Sequence, residues 1–365
     1  MKRRLRILRA LSRKPEPSSP RTAQLDADLA EIIHLADRDL RHFAGARIFI
    51  TGGTGFVGTW LLWSIVEANR RLGIDIRADV LSRNPETFAA REGEIAAAPG
   101  IRFLRGDIVD PVPSTERYDA IIHAATPASA KLLRDSPQTM LDIILRGSRH
   151  IADFAERCGA VPVLFTSSGA IYGRLPASLE TVDESYGGAP DSTEPRAAYQ
   201  EGKRCGELMC TIAAERSRGR ALIARLFAFV GPYLPLDQHF AIGNFLHDRL
   251  AGRPIQVAGD GTAIRSYLYA VDLTVWLWAI MARGQSRRPY NVGSSEAISI
   301  AELSRQIAGI ESPQLDVIFA RPITPGGPPD RYVPANDRIR GELGVSATVA
   351  LGEACRRTLR HVRGT

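Results

Sequence analysis

The chain of 365 residues predicts an α/β fold: a doubly wound parallel sheet with helices on both faces and a smaller C-terminal lobe. Three observations lead there. From residue 47 to residue 231, short apolar runs alternate with longer helix-like stretches, the cadence of a parallel sheet. Glycines gather at one place in this pattern, GGTGFVG at 52–58, between the first such run and the first such helix. Beyond Pro232 the alternation loosens into turns at Gly252, Gly259 and Gly261, then resumes with a last strand-like run, RPYNVGS at 288–294.

Taken in order, residues 22–43 space Leu25, Leu29, Ile32, Ile33, Leu40 and Phe43 close to a helical period. They predict an amphipathic helix packed on the body of the domain, with His34 and His42 as surface or packing residues. RIFIT (47–51) is the first strand and WLLWSIVEANRRL (60–72) its helix; RADVLS (77–82) and ETFAAREGEIAAA (86–98) form the next pair. IRFLRGD (101–107), DAIIHAA (119–125) and VPVLFTSS (161–168) are further strands, the last preceded by a long helix at 136–158. A helix from Tyr199 to Arg216 leads to RALIARLFAFVG (220–231), which reads as one strand. The expected organisation is a basic tail and helical extension at 1–45, a dinucleotide-binding domain at 46–231 plus 265–294, and a substrate lobe at 232–264 plus 295–365.

The formal charge of +7 suggests nucleic acid until it is located. Lys2, Arg3, Arg4, Arg6, Arg9, Arg13 and Lys14 account for all of it, and the rest of the chain is neutral. No excess remains to line a folded groove by counterion release, so nucleic acid is excluded as a partner. The tail has no continuous apolar core of a secretory signal, and the densest apolar run, LTVWLWAIMA (273–282), is too short to span a bilayer. The expectation is a cytoplasmic protein with no integral membrane segment. Cys158, Cys205, Cys210 and Cys355 form no metal-ligand pattern, so no metal is expected and the thiols read as small buried or half-buried side chains.

Gly52, Gly55 and Gly58 let a strand-to-helix turn approach a pyrophosphate closely, and the amides of the helix start meet its charge. The turn, with Thr54, Phe56 and Val57, therefore predicts a Rossmann-type dinucleotide site. At the end of the second strand stand Ser82 and Arg83, where an acid would accept hydrogen bonds from the adenosine ribose. With no carboxylate to repel a 2′-phosphate and a guanidinium to pair with one, NAD(P) binding leans to NADP. Asp107 and Ile108 would flank the adenine, and Ala124 and Ala125 leave room for the cofactor backbone. Tyr199 and Lys203 stand four apart on one helix face in AYQEGK. With nine tyrosines and only four lysines in the chain, this spacing is expected by chance about 0.1 times. A nearby ammonium and a positive nicotinamide ring would lower the phenol from its ordinary value near 10 toward that of a usable base.

GGTGFVG, HAA, TSSGAIYG and YQEGK together resemble the extended short-chain dehydrogenase/reductase family, in its NAD(P)-dependent nucleotide-sugar epimerase/dehydratase branch. The likeness spans about 46–360 and includes GNFLHDRLAGRPIQVAGDGTAIRSYLYAVDL (243–273), which is similar to the family's diphosphate-holding segment. It implies that Tyr199 is the acid/base at the sugar C4 hydroxyl, Lys203 its partner, and Ser168, beside Ser167, the donor to the same hydroxyl. Arg265 resembles the arginine that grips the diphosphate, and Asn244 a residue near the diphosphate or base. A nucleotide-diphosphate sugar as substrate and a homodimer through helices near 137–158 and 197–217 are likewise implied. Met140, Ile144, Ile151 and Phe154 on the first of these suit either the dimer or the sheet.

Two departures shape the expected chemistry. RLFAFVGP carries Ala228 where the family often has asparagine. Family members that eliminate water across C5 and C6 carry an acid pair just after the catalytic hydroxyl, and nucleotide-glucuronate decarboxylases usually keep a glutamate at the second place. Here these are Gly169 and Ala170, neither of which moves a proton. The leading expectation is hydride transfer at sugar C4 by a 4-epimerase. The alternatives are a 4,6-dehydratase with Glu184 or Glu194 as displaced acid, a 4-keto-sugar reductase, a decarboxylase, or a non-catalytic NADP-binding regulator of the same fold.

Overall fold

The computed structural model describes residues 21–365 apart from 113, 128, 160, 238–239 and 323–328. The basic tail therefore lies outside the described residues. The main sheet has seven parallel strands: β1 (Arg47–Thr51), β2 (Arg77–Ser82), β3 (Ile101–Arg105), β4 (Ala120–His123), β5 (Pro162–Ser168), β6 (Arg220–Leu226) and β7 (Pro289–Val292). Their spatial order is β7-β6-β5-β4-β1-β2-β3. The order reverses between β1 and β4, and such a switch point opens a crevice at the carboxyl ends of the strands.

Eight helices of nine residues or more stand among the described residues: α1 (Ala23–Arg41), α2 (Phe56–Leu72), α3 (Pro137–Cys158), α4 (Ala198–Ser217), α5 (Ala241–Ala251), α6 (Ala270–Arg283), α7 (Ile300–Ala308) and α8 (Leu351–Arg363). Strand alternation sorts the core. Phe49, Ile121, Val163 and Phe165 point to one face, against Ile151 and Phe154 of α3 and Cys210 and Ala214 of α4. Ile48, Ile50, Ile122 and Leu164 point to the other, where α2, α6 and α1 lie. Met140, Ile144, Ile151 and Phe154 are all buried within the chain, Ile151 and Phe154 in the sheet-side cluster and Ile144 against Gly202 of α4.

The run LTVWLWAIMA is apolar all round because α6 is covered on both sides, with Leu273 to Met281 almost wholly buried. Among the described residues no helix is long and apolar enough to cross a membrane. The outer cover of α6 is α1, whose N-cap Thr22 accepts from the Leu25 amide. Its Asp28 accepts hydrogen bonds from the Tyr269 hydroxyl at 2.6 Å and Arg357 of α8 at 3.0 Å, and burial pushes its carboxyl up to about 6. Asp39 pairs with Arg283 of α6 at 2.7 Å. The N-terminal helix is thus fastened to the body by buried ion pairs as well as by its apolar stripe.

Two local expectations change. Residues 220–231 are not one strand: the chain leaves the sheet after Leu226, and Phe229–Val230 pairs with Leu268–Tyr269 instead. At this break Phe227 turns into the space that Gly169 and Gly293 leave open, so the run does not continue straight. Cys205, read as at least half buried, is exposed on the outer face of α4, while the other three thiols are buried. Around the lobe, Ile264–Arg265 lies between Ile298–Ser299 and Arg331–Tyr332 in a small three-stranded sheet.

Candidate active site

The glycine turn is built as a cradle. Gly52 has φ of 72°, a left-handed conformation, and a Cβ there would lie 2.5 Å from the Ala124 carbonyl. A Cβ at Gly58 would lie 2.2 Å from the Gly52 oxygen, so α2 packs directly on the turn. Gly53, which the motif reading passed over, is filled by Val80 at 2.5 Å. At Gly55 the only neighbour is the Gly52 oxygen at 3.5 Å, so its outer side is open. Gly55 is also the N-cap of α2 without any side-chain cap, leaving amides of the first turn, at Phe56 and Val57, available to an anion. These features fit the pyrophosphate of a dinucleotide.

The remaining cofactor positions are placed around the crevice. Ser82 ends β2 and is buried, and Arg83 follows it exposed, in no ion pair among the described residues. Arg91 adds a second guanidinium, donating to the Thr54 carbonyl at 3.3 Å. Asp107 caps its own turn through the Val109 amide, while Ile108 packs into the core against Gly147. The Ala124 and Ala125 amides bond back to Thr51, through its carbonyl and its hydroxyl. That hydroxyl also meets His123 Nδ1 at 2.8 Å. His123 is fully buried beside the Lys203 charge and pushed down to about 3, so it is a neutral support for the turn.

Ser168, Tyr199 and Lys203 come together at the carboxyl end of β5. Ser168 is the last strand residue, and its hydroxyl accepts from the Ala170 amide at 3.1 Å and lies near enough to the Tyr199 phenol to act on its acidity. Lys203, one turn along α4 from Tyr199, donates to the Thr166 carbonyl at 2.7 Å and the Thr126 hydroxyl at 2.6 Å, with its ammonium 5.0 Å from the centre of the Phe165 ring. Burial pushes Lys203 down to about 7. Burial also pushes Tyr199 up, opposed by the Ser168 hydroxyl. Lys203 is held on carbonyl and hydroxyl oxygens, and among the protein's own groups burial outweighs the Ser168 hydroxyl at the phenol.

The bland residues after Ser168 have a structural cause. A Cβ on Gly169 would lie 2.5 Å from the Phe227 ring, which fills the space an acid there would occupy. Phe227 is wedged from the other side by Gly293, where a Cβ would lie 2.8 Å from the Phe227 Cβ, and its ring is 4.6 Å from that of Tyr332. Glu184 is spent elsewhere: its carboxylate accepts from the buried Asn291 amide at 2.8 Å and pairs with Arg338 at 3.5 Å. That removes it as a displaced acid. Glu194 lies exposed in the loop before α4.

Ser167 is buried, and its hydroxyl has no hydrogen-bond partner among the described residues. Asn244 lies in the first turn of α5, half buried. Arg265 donates to Asp330 at 2.7 Å and sits in register with Tyr332. Sequence reasoning missed Thr126, Phe227, Arg91 and Tyr332. Phe227 stands in the RLFAFVGP run without being marked there, and the other three stand in none of the motifs; each reaches the site from a different segment.

Placing an acid there by Gly169→Glu should cost about 1–3 kcal/mol from overpacking against Phe227. Phe227→Ala in the same chain should recover part of it, so that urea unfolding shows strongly non-additive costs. Additive costs would mean that the ring does not occupy this space.

The curated relatives include UDP-glucuronic acid decarboxylase 1 of Arabidopsis thaliana, 29% identical over 324 residues, covering 87% of this chain and 70% of that protein. Among solved structures, an epimerase of Methanothermobacter thermautotrophicus matches with TM-score 0.75 at 23% identity, over 89% of this chain and 94% of that one. The UDP-glucose 4-epimerase of Thermotoga maritima, solved with UDP-glucose, matches with TM-score 0.73 at 21% identity, over 87% and 98%. These structural matches carry the fold. The model of the NAD dependent epimerase/dehydratase family matches residues 48–293, a span that holds the glycine turn, Ser168, Tyr199 and Lys203, and the chain belongs to that family.

Proposed function

We propose that this enzyme oxidises and re-reduces C4 of a nucleotide-linked hexose or uronate, most simply as a 4-epimerase. The observation that carries the reading is Ser168 set between Tyr199 and a wall in which Phe227 takes the place of an acid at Gly169. A nicotinamide cofactor bound over the glycine turn supplies a hydride acceptor and a positive ring. Tyr199 takes the C4 hydroxyl proton and later returns it; Ser168 holds that hydroxyl in line. Lys203 keeps its charge below about pH 7 and donates to the nicotinamide ribose from the Thr166 and Thr126 side. Proton transfer at C5 or C6 has no group on the Gly169–Ala170 wall to perform it.

The decarboxylase relatives favour a second reading, loss of the C6 carboxylate from a 4-keto uronate. Ala170 stands against it, since the glutamate expected there is missing. The two readings separate when purified protein is incubated with UDP-, dTDP-, GDP- and CDP-sugars and the products are weighed. An isomeric product is expected; loss of carbon dioxide from a uronate, or of water from a hexose, would sink the epimerase reading. Tyr199→Phe should lower turnover by about 10²–10⁴ with cofactor still bound.

For the cofactor, the family is described as NAD dependent, and the leaning to NADP rests on Ser82, on Arg83 outside any ion pair of the described residues, and on Arg91 at the Thr54 carbonyl. Fluorescence titration of wild type should give tighter binding of NADP than NAD. Arg83→Ala should weaken NADP about tenfold, the size of one charge-assisted phosphate contact, and NAD hardly at all. Equal losses would refute a 2′-phosphate role.

The homodimer is supported by α4 rather than by the apolar stripe of α3. Leu208 is 59% and Ile212 46% exposed on α4, one turn apart, beside an open cleft of about 540 Å³ lined by Cys205, Thr211 and Arg287. Light scattering should find a dimer that the double substitution Leu208→Glu, Ile212→Glu converts to monomer. A monomeric wild type would dismiss it.

A further inference from the structure

Tyr332 comes from the lobe, on the short strand Arg331–Tyr332 that pairs with Ile264–Arg265. Its hydroxyl lies 3.4 Å from Ser168 Oγ and 3.3 Å from the Leu226 carbonyl. Both distances are long for an O–H···O bond, one to a hydroxyl and one to a backbone carbonyl. The phenol thus has two acceptors within reach, each at a long distance, and its ring lies 4.6 Å from that of Phe227.

Hydrogen-bonding capacity at Ser168 is small. A serine hydroxyl has one proton to give and two lone pairs to fill. The Ala170 amide fills one lone pair. When Tyr332 donates to Ser168, the second is filled too, and the serine proton must point forward, to Tyr199 or the sugar hydroxyl. When Tyr332 donates to Leu226 instead, Ser168 is free to accept from Tyr199, which holds that phenol in its neutral form.

We propose that Tyr332 is a positioning residue that sets the direction of the Ser168 proton, and through it the acidity of Tyr199. The proposal rests on the assignment of Tyr199 as acid/base and adds a residue outside the Ser168, Tyr199 and Lys203 group. Tyr332 does not itself take the proton: burial pushes it well above the ordinary phenol value, with the Tyr199 charge acting in the same direction. The charged and titratable groups around Tyr199 are Lys203 on its own helix, Tyr332 from the lobe strand, and Arg265 behind Tyr332; no carboxylate acts on it among the described residues. Because Tyr332 is in register with Arg265 on the neighbouring strand, the small sheet that carries the proposed diphosphate contact also carries this hydroxyl to the serine.

The test is an ultraviolet phenolate titration of the full chain loaded with NAD or NADP, from about pH 6 to about pH 11, which spans the ordinary tyrosine range. The Tyr199 signal is the part that disappears in Tyr199→Phe. In Tyr332→Phe, which keeps the ring, that signal should move up by about half a pH unit, a roughly threefold weaker acid. In a Ser168→Ala background, Tyr332→Phe should then move it no further, because the proposed route runs through the serine. No movement in the single variant overturns the proposal, as does an equal movement in the Ser168→Ala background, which would show a direct effect of the ring or its field. If wild type and Tyr199→Phe titrate alike, Tyr199 is not the acid/base and both assignments fail together. A Tyr199 signal that is present and indifferent to Tyr332 removes only the role of Tyr332.

Discussion

The site depends on one buried ammonium. Lys203 is 2% exposed and has no carboxylate bonded to it among the described residues; its charge is met by the Thr166 carbonyl, the Thr126 hydroxyl and the face of Phe165. Removing an ammonium from water is costly unless its donors are taken up, and here two protein oxygens take up two of the three. Those oxygens belong to β5 and to the loop after β4, while Lys203 belongs to α4. The contact therefore fastens a helix to β5 and to the loop after β4, the strand on one side of the switch point. Ser168 and Tyr199 meet because this lock sets α4 against β5.

Around that lock, charge is managed by neutrality as much as by pairing. His123 lies next to the Lys203 field and is held uncharged by burial, so it supports Thr51 and the glycine turn without adding repulsion. Carboxylates are kept at a distance. Glu184 is bound to the Asn291 amide and Arg338, and Glu207 is bound to Arg225. What remains at the candidate reacting edge is a set of hydroxyls beside an aromatic wall, suited to moving one proton at an alcohol and poorly suited to ionising a second carbon.

Much of this was legible in sequence because it is local. The strand bounds of β1 and β2 match RIFIT and RADVLS without shift, since a buried parallel strand shows as a short apolar-rich run between turn residues, here with one buried, ion-paired Asp79 in β2. Gly52 and Gly58 were legible because their chemistry is a lack of Cβ at fixed spacing. Tyr199 and Lys203 were legible because four residues is one helical turn. The single-strand reading of 220–231 failed because RLFAFVG is apolar throughout, and apolarity alone does not say where a strand leaves its sheet. The oxygens that take up the Lys203 charge were not legible, because a charge in sequence says nothing about the groups that hold it.

The sequence by itself determined the parallel sheet, the glycine turn and the candidate set of hydroxyl, phenol and ammonium, because each is written in neighbouring residues or at one helical period. Only the tertiary structure decided which groups face them. Phe227 is set between Gly169 and Gly293 by the closing of three separate segments. Thr126 reaches Lys203 across 77 positions of the chain, and Tyr332 reaches Ser168 across 164. No local period encodes such pairs, since they are fixed by how the lobe and the strand ends close on one another.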